Sequence, residues 1–161
     1  MQTIVTPFIN RLDKIKERLP RIANRIILEN AEIIIEIIKE NQLAKGLNSY
    51  GNIIGTYASI TRKYAYNSKK AYGYPNSDKK KGQPYDMQWS GDLFKSLNLK
   101  GNSSKNEFTI FSSNGKIEFL EKEFNMELSD LTKENNTWVN ENILLPNLYE
   151  HILDDMFIGL I

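Results

Sequence analysis

The chain has 161 residues, and its 21 Lys and Arg against 20 Asp and Glu leave a formal charge of +1. That length suits one ordinary domain with a moderate core, and the charge balance excludes a uniformly basic nucleic-acid binder or an acidic tail protein. Cysteine is absent, which excludes disulfide frameworks, thiolate zinc sites and a cysteine nucleophile, and suits a reducing compartment.

The start, "MQTIVTPFIN", lacks the basic and apolar blocks of a secretory signal. From Pro7 to about Ala44 the pattern is helical, in two pieces if Pro20 breaks it. Ile22, Ile26, Ile33 and Ile37 recur at spacings of four and seven, with Ile27, Ile34 and Ile38 beside them, so one broad stripe is meant for burial. Glu29, Glu32 and Glu36 interrupt the same run and prevent it from crossing a bilayer, so the chain is expected to be soluble, with no membrane partner. Isoleucine is a weaker helix former than leucine, and this much of it implies that packing holds the helix in place.

"KGLNSYGNIIG" supplies turn chemistry through Gly46, Gly51 and Gly55. A phosphate-loop reading fails, because no strand pattern precedes these glycines and no Gly-Lys-Ser/Thr follows them. Next comes a segment in which six tyrosines (57, 64, 66, 72, 74, 85) alternate with basic residues. Between Arg62 and Lys81 there are seven cations (Arg62, Lys63, Lys69, Lys70, Lys79, Lys80, Lys81) against one acid, Asp78. With Gly73, Pro75, Gly82 and Pro84 breaking any regular element, 62–85 reads as an extended basic loop within a single domain spanning 1–161.

"YDMQWSGDLFKSL" leads out of that loop, with Trp89 anchoring a Ser90-Gly91 turn on apolar surface, Asp92 as a turn residue, and Leu93, Leu97 and Leu99 on one side of a strand. "EFTIFSS" is a second strand, joined by the polar "GNSSKN", so an antiparallel ribbon is expected. "GKIEFLEKEF" is a short helix, and Thr132 is a suitable N-cap for a helical run that Pro146 should kink or restart. Trp138, Ile143, Leu145, Leu148, Ile152 and Phe157 form its stripe, and "MFIGLI" ends it as an apolar tail that must fold back or dock on a neighbour. The fold class is therefore α+β: a long N-terminal helix, a basic loop, a small antiparallel sheet and C-terminal helices.

His151 and Asp155 share a helical face, but no third ligand and no serine or cysteine nucleophile accompanies them, so no catalytic residue, metal ligand or cofactor is assigned. From Glu118 to Asp155 there are ten acids against Lys122 and Lys133. A basic loop and an acidic C-terminal part on one neutral chain suit a head-to-tail interface in which the loop of one subunit lies on its neighbour's acidic helix. The rival use of the loop is nucleic-acid binding, with lysines on phosphates and tyrosines stacked on bases. Arg62, Lys63, Lys69, Lys70, Lys79, Lys80, Lys81, Tyr72, Tyr74 and Trp89 are the candidate subunit-interface or DNA-facing residues.

Gln42-Leu43 to Gly46, Gly51 to Tyr57, Lys81-Gly82, and Ser90-Gly91-Asp92-Leu93 to Ser96 carry a resemblance. They resemble small virion proteins of tailed phages that infect Bacteroidota, including crAss-like phages, as do "SSNGKIEFLEKEFN" and "ELSDLTKEN", so the likeness covers roughly residues 37–150. More distantly, a Thr-Gly-x-Leu-x-x-Ser element after a proline-containing loop is similar to one that starts the first strand of head–tail connector and tail-completion proteins. Here Ser90 replaces the threonine. The resemblance implies a non-enzymatic neck or tail subunit, a homo-oligomeric ring of six or twelve copies around the DNA passage. Its partners would be the portal and other neck or tail proteins, with non-specific contact to packaged DNA, and its place the virion after assembly in the host cytoplasm.

Overall fold

The structure, a computed structural model, describes residues 5–61, 79–102 and 107–157. Helix α1 (Val5–Glu29) and helix α2 (Ala31–Asn41) are followed by a short 3-10 turn, Leu43–Lys45. After the stem of the basic segment come α3 (Asp92–Ser96), β1 (Leu97–Asn102), β2 (Glu107–Ser112) and α4 (Lys116–Phe124). Helix α5 (Lys133–Val139), a wide π-turn (Asn140–Leu144) and α6 (Leu145–Phe157) complete the order. This is the mixed helix-and-sheet architecture that the sequence pattern implies.

The N-terminal helices divide at Asn30 rather than at Pro20, through which α1 runs unbroken. Pro20 removes one helical hydrogen bond, but α6 grips α1 on both sides of it: Arg11 donates to the Met156 carbonyl, Arg18 pairs with Asp155 at 2.9 Å, and Arg25 donates to His151 Nε2. At Asn30 the side-chain amide donates to the Ile26 carbonyl at 2.8 Å, competing with the backbone for the same acceptor, and the helix restarts. The isoleucine stripe fills the core as its spacing predicts at Ile22, Ile26, Ile27, Ile34, Ile37 and Ile38, joined by Ile35, whereas Ile33 is exposed.

β1 and β2 pair antiparallel with Leu97 opposite Ser112, Leu99 opposite Ile110 and Gly101 opposite Phe108. Their inner face lies on α1 and α2. Gly101 sits so close to Asn24 on α1 that a side chain there would collide with the amide. Residues 103–106 of the connection between the strands and the last four residues of the apolar tail, 158–161, lie outside the described residues, while Met156 and Phe157 of that tail end α6. The strand expected from Leu93 starts at Leu97 instead, because Asp92–Ser96 winds into one helical turn that buries Leu93 and Ser96. Ser96 Oγ donates back to the Leu93 carbonyl at 2.8 Å and closes that turn.

A buried amide ties the two halves of the chain together. Gln42 has no exposed surface, and its Oε1 accepts from the Thr132 backbone N–H at 3.0 Å while Nε2 donates to the Asp130 carbonyl at 2.9 Å. Thr132 caps α5 as its sequence context predicts, accepting from the Asn135 N–H. Near Pro146, which cannot donate to the preceding turn, the helix widens over Asn140–Leu144 before α6 begins.

Candidate functional site

The basic segment leaves and rejoins the body at a closed stem. Thr56 and Pro84 form an antiparallel bridge, the Tyr57 N–H donates to the Gln83 carbonyl at 2.9 Å, and the Gly82 N–H donates to the Tyr57 carbonyl at 3.0 Å. A side-chain lock fixes this stem from inside. Lys79 is 1% exposed, and its ammonium reaches Asp86 Oδ1 at 2.5 Å and the Tyr57 hydroxyl at 2.9 Å.

The donors and acceptors of this lock are consistently used. The Tyr57 hydroxyl donates to Asp86 Oδ1 at 2.7 Å and accepts from Lys79 and, at 3.1 Å, from the Asp86 N–H. Asp86 Oδ1 also accepts from the Gln88 N–H at 3.0 Å, an Asx turn that holds Met87 in the left-handed region at φ 52°. Burial pushes the Tyr57 phenol well above its ordinary range, and the carboxylate of Asp86 adds to that. The Lys79 ammonium lies 4.7 Å from the centre of the Tyr57 ring and 5.7 Å from that of Trp89, within reach of both π faces.

Tyr85 joins the lock to the core. Its ring meets Tyr57 edge-on with centres 4.9 Å apart and Phe124 at 5.7 Å. Gly55 and Gly46 lie against it, so that a side chain at Gly55 would strike the ring and one at Gly46 the Tyr85 carbonyl. Gly46 also needs its glycine for φ 71° at the end of the 3-10 turn. Gly46 and Gly55 make room for a tyrosine.

Above the lock a groove of about 380 Å³ opens between Tyr85–Leu93 and α4. Tyr57, Tyr85, Trp89, Phe119 and Phe124 line it together with Met87 and Leu120. Trp89 is 38% and Phe119 64% exposed, a large amount of aromatic surface facing solvent. On the rim, Lys116 Nζ pairs with Asp92 at 2.7 Å. This contact holds the Asp92 carboxyl below the usual carboxylate range.

Of the candidate residues, Arg62, Lys63, Lys69, Lys70, Tyr72 and Tyr74 lie outside the described residues. Lys79 is turned inward as part of the lock, whereas Lys80 and Lys81 are exposed, as is Trp89 on the groove. Asp86, Tyr57, Tyr85 and Phe119 were not among the candidates. The cation count over Arg62–Lys81 stops five residues short of Asp86, the acid that pairs with Lys79. His151 and Asp155 face different arginines of α1, and among the described residues no cluster of three metal-ligating side chains occurs. Among them, too, no helix is long and apolar enough to cross a membrane.

Compared with protein-family models, curated proteins and solved structures, the chain finds no match.

Proposed function

We propose that the chain is a non-enzymatic structural subunit of a tailed-phage neck or tail, which assembles with copies of itself into a ring around the DNA passage. The observation that carries this reading is the Lys79–Asp86–Tyr57 lock, which fixes both ends of a 17-residue segment rich in lysine and tyrosine to one place on the body. A buried ion pair is an expensive way to close a loop, and its use here is suited to holding the two flanks of that segment together. The residues that carry the likeness to phage virion proteins converge on the same region. Gly46 and Gly55 admit Tyr85, Tyr57 belongs to the lock, Gly82 turns the stem, and Asp92 pairs across the groove rim.

In this reading the body supplies subunit contacts through its exposed apolar residues, and the segment reaches a neighbour, the portal or packaged DNA. Labelling of phage particles with an antibody to the chain, viewed by electron microscopy, tests it. Label at the neck or tail supports the proposal, and particles without label refute it.

A second reading, a nucleic-acid-binding module, is favoured by Lys80 and Lys81, which stand exposed at the stem beside the buried Lys79. It requires an affinity that falls steeply with salt and drops when Lys80 and Lys81 are changed to alanine.

A further inference from the structure

Among the described residues Lys79 is the one charged side chain that is buried, at 1% exposure. Its Nζ lies 2.5 Å from Asp86 Oδ1, so the carboxyl carbon Cγ is one bond beyond the atom that the amine already touches. The Tyr57 hydroxyl links the same two groups by a second route: it accepts from Nζ at 2.9 Å and donates to Asp86 Oδ1 at 2.7 Å. That arrangement is a proton path from amine to carboxyl. An ion pair alone has no need of it, because Nζ reaches the carboxylate directly.

We infer that this pair is the reactant of a self-catalysed condensation, in which Lys79 and Asp86 become joined through an isopeptide bond. The reaction consumes nothing but the two side chains. One proton passes from Nζ through the Tyr57 hydroxyl to Oδ1, which leaves a neutral amine beside a carboxylic acid. The amine lone pair then attacks Cγ to give a tetrahedral adduct. A second proton follows the same path as the Cγ–Oδ1 bond breaks, so Oδ1 departs as water, Oδ2 becomes the amide carbonyl, and one proton stays on Nζ. Tyr57 ends as it began.

The surroundings favour each stage. Enclosure penalises the charged pair, and proton transfer followed by condensation removes both charges. The rings of Tyr57 and Trp89 wall the amine, with centres 4.7 and 5.7 Å from Nζ, and limit the water that could compete with it. The Gln88 N–H, 3.0 Å from Oδ1, keeps the carboxyl from turning away. Groups held together in this way react as though present at roughly 10⁵–10⁸ M. Burial keeps the Tyr57 phenol protonated and able to donate. The Asp86 side chain, 19% exposed, leaves an exit for the water formed. Lys116 and Asp92 make an internal control: they approach to 2.7 Å, but their side chains are 42% and 53% exposed, so solvent carries their charges.

The intact mass of the full chain tests the inference. The purified wild type should be lighter than its sequence by one water. Trypsin, which cuts after Lys80 and Lys81 but not after an acylated Lys79, should release a branched peptide joining 71–80 to 82–95. Lys79→Ala and Asp86→Ala should each have the full sequence mass. Tyr57→Phe, which keeps the ring and removes the relay, should condense at least about 100-fold more slowly after purification, with unchanged circular dichroism. A wild type that keeps its full mass through prolonged incubation would overturn the inference. So would a water loss that maps elsewhere, as between Lys116 and Asp92, or a folded Tyr57→Phe variant that condenses as fast as the wild type. The bond is a property of the free chain, so its absence would leave the ring-subunit reading standing, and absence of the chain from phage particles would leave the bond.

Discussion

The Lys79 ammonium contacts Asp86 across seven residues of sequence, and Lys79 is almost completely enclosed while the Asp86 side chain keeps 19% of its surface in solvent. A cation buried this deeply is stable only while its carboxylate and hydroxyl partners remain, and removing one partner from a buried pair typically costs about 3–5 kcal/mol.

Lys79→Ala should therefore lower the unfolding free energy by about 3 kcal/mol, reduced from the top of that range by the partial exposure of Asp86. Lys81→Ala, two residues away and exposed, should change it by less than about 0.5 kcal/mol. Urea titration followed by tryptophan fluorescence reads both. Equal effects at the two positions would remove the lock from the account.

Tyr57 gives the lock a pH signature. Its phenol pKa is raised in the folded state by burial and then by Asp86, so its contribution is complete below the unfolded value near 10 and is lost as pH rises through the folded value. The stability difference between wild type and Tyr57→Phe should be constant from neutral pH to about pH 9.5 and shrink above it. A difference that grows in alkali would contradict the assignment.

Glycine substitutions separate close approach from backbone conformation. Gly46 and Gly51 both have positive φ, 71° and 79°, but a side chain at Gly46 meets the Tyr85 carbonyl whereas at Gly51 it meets open space. Gly51→Ala should cost about 1–2 kcal/mol for the left-handed backbone alone. Gly46→Ala should cost at least about twice as much, since the stem must also move. Thermal melting of the two variants decides it.

Gln42 is the polar counterpart in the core. Gln42→Leu keeps the volume but leaves the Thr132 N–H and the Asp130 carbonyl without this partner, a loss of about 2–4 kcal/mol. Hydrogen exchange should rise at the Thr132 amide before the rest of α5, whereas a variant as stable as wild type would remove the amide from its joining role.

The helices, the ribbon and the Thr132 cap were legible because they rest on local signals, apolar periodicity and a side chain within a few residues of its target. The inner faces of both strands were also legible, since Leu97 and Leu99 on β1 and Phe108, Ile110 and Ser112 on β2 follow from the two-residue alternation, whereas the register between them does not. The passage of α1 through Pro20 was not, because it depends on α6, more than a hundred residues later, gripping α1 with Arg11, Arg18 and Arg25. The same contacts show that the acidic C-terminal helix meets cations of α1, a basic helix that a comparison of the loop with the C-terminal part passes over.

The lock was half legible. Tyr57, Tyr85 and the lysine run stood out by composition, yet which lysine turns inward depends on the Gln83–Tyr57 pairing that sets the stem. That pairing has no signature in the residues alone. Gly46 and Gly55 were seen as turn residues, and their other purpose, admitting Tyr85, depends on a partner thirty residues or more away.

The measurement that bears most directly on the proposed role is the copy number of the chain in purified phage particles, by quantitative mass spectrometry against the portal protein. A ring subunit of the neck or tail predicts a fixed number of copies per particle, six or twelve or a multiple of these. Absence from particles that contain portal, or a copy number that varies between preparations, would contradict it.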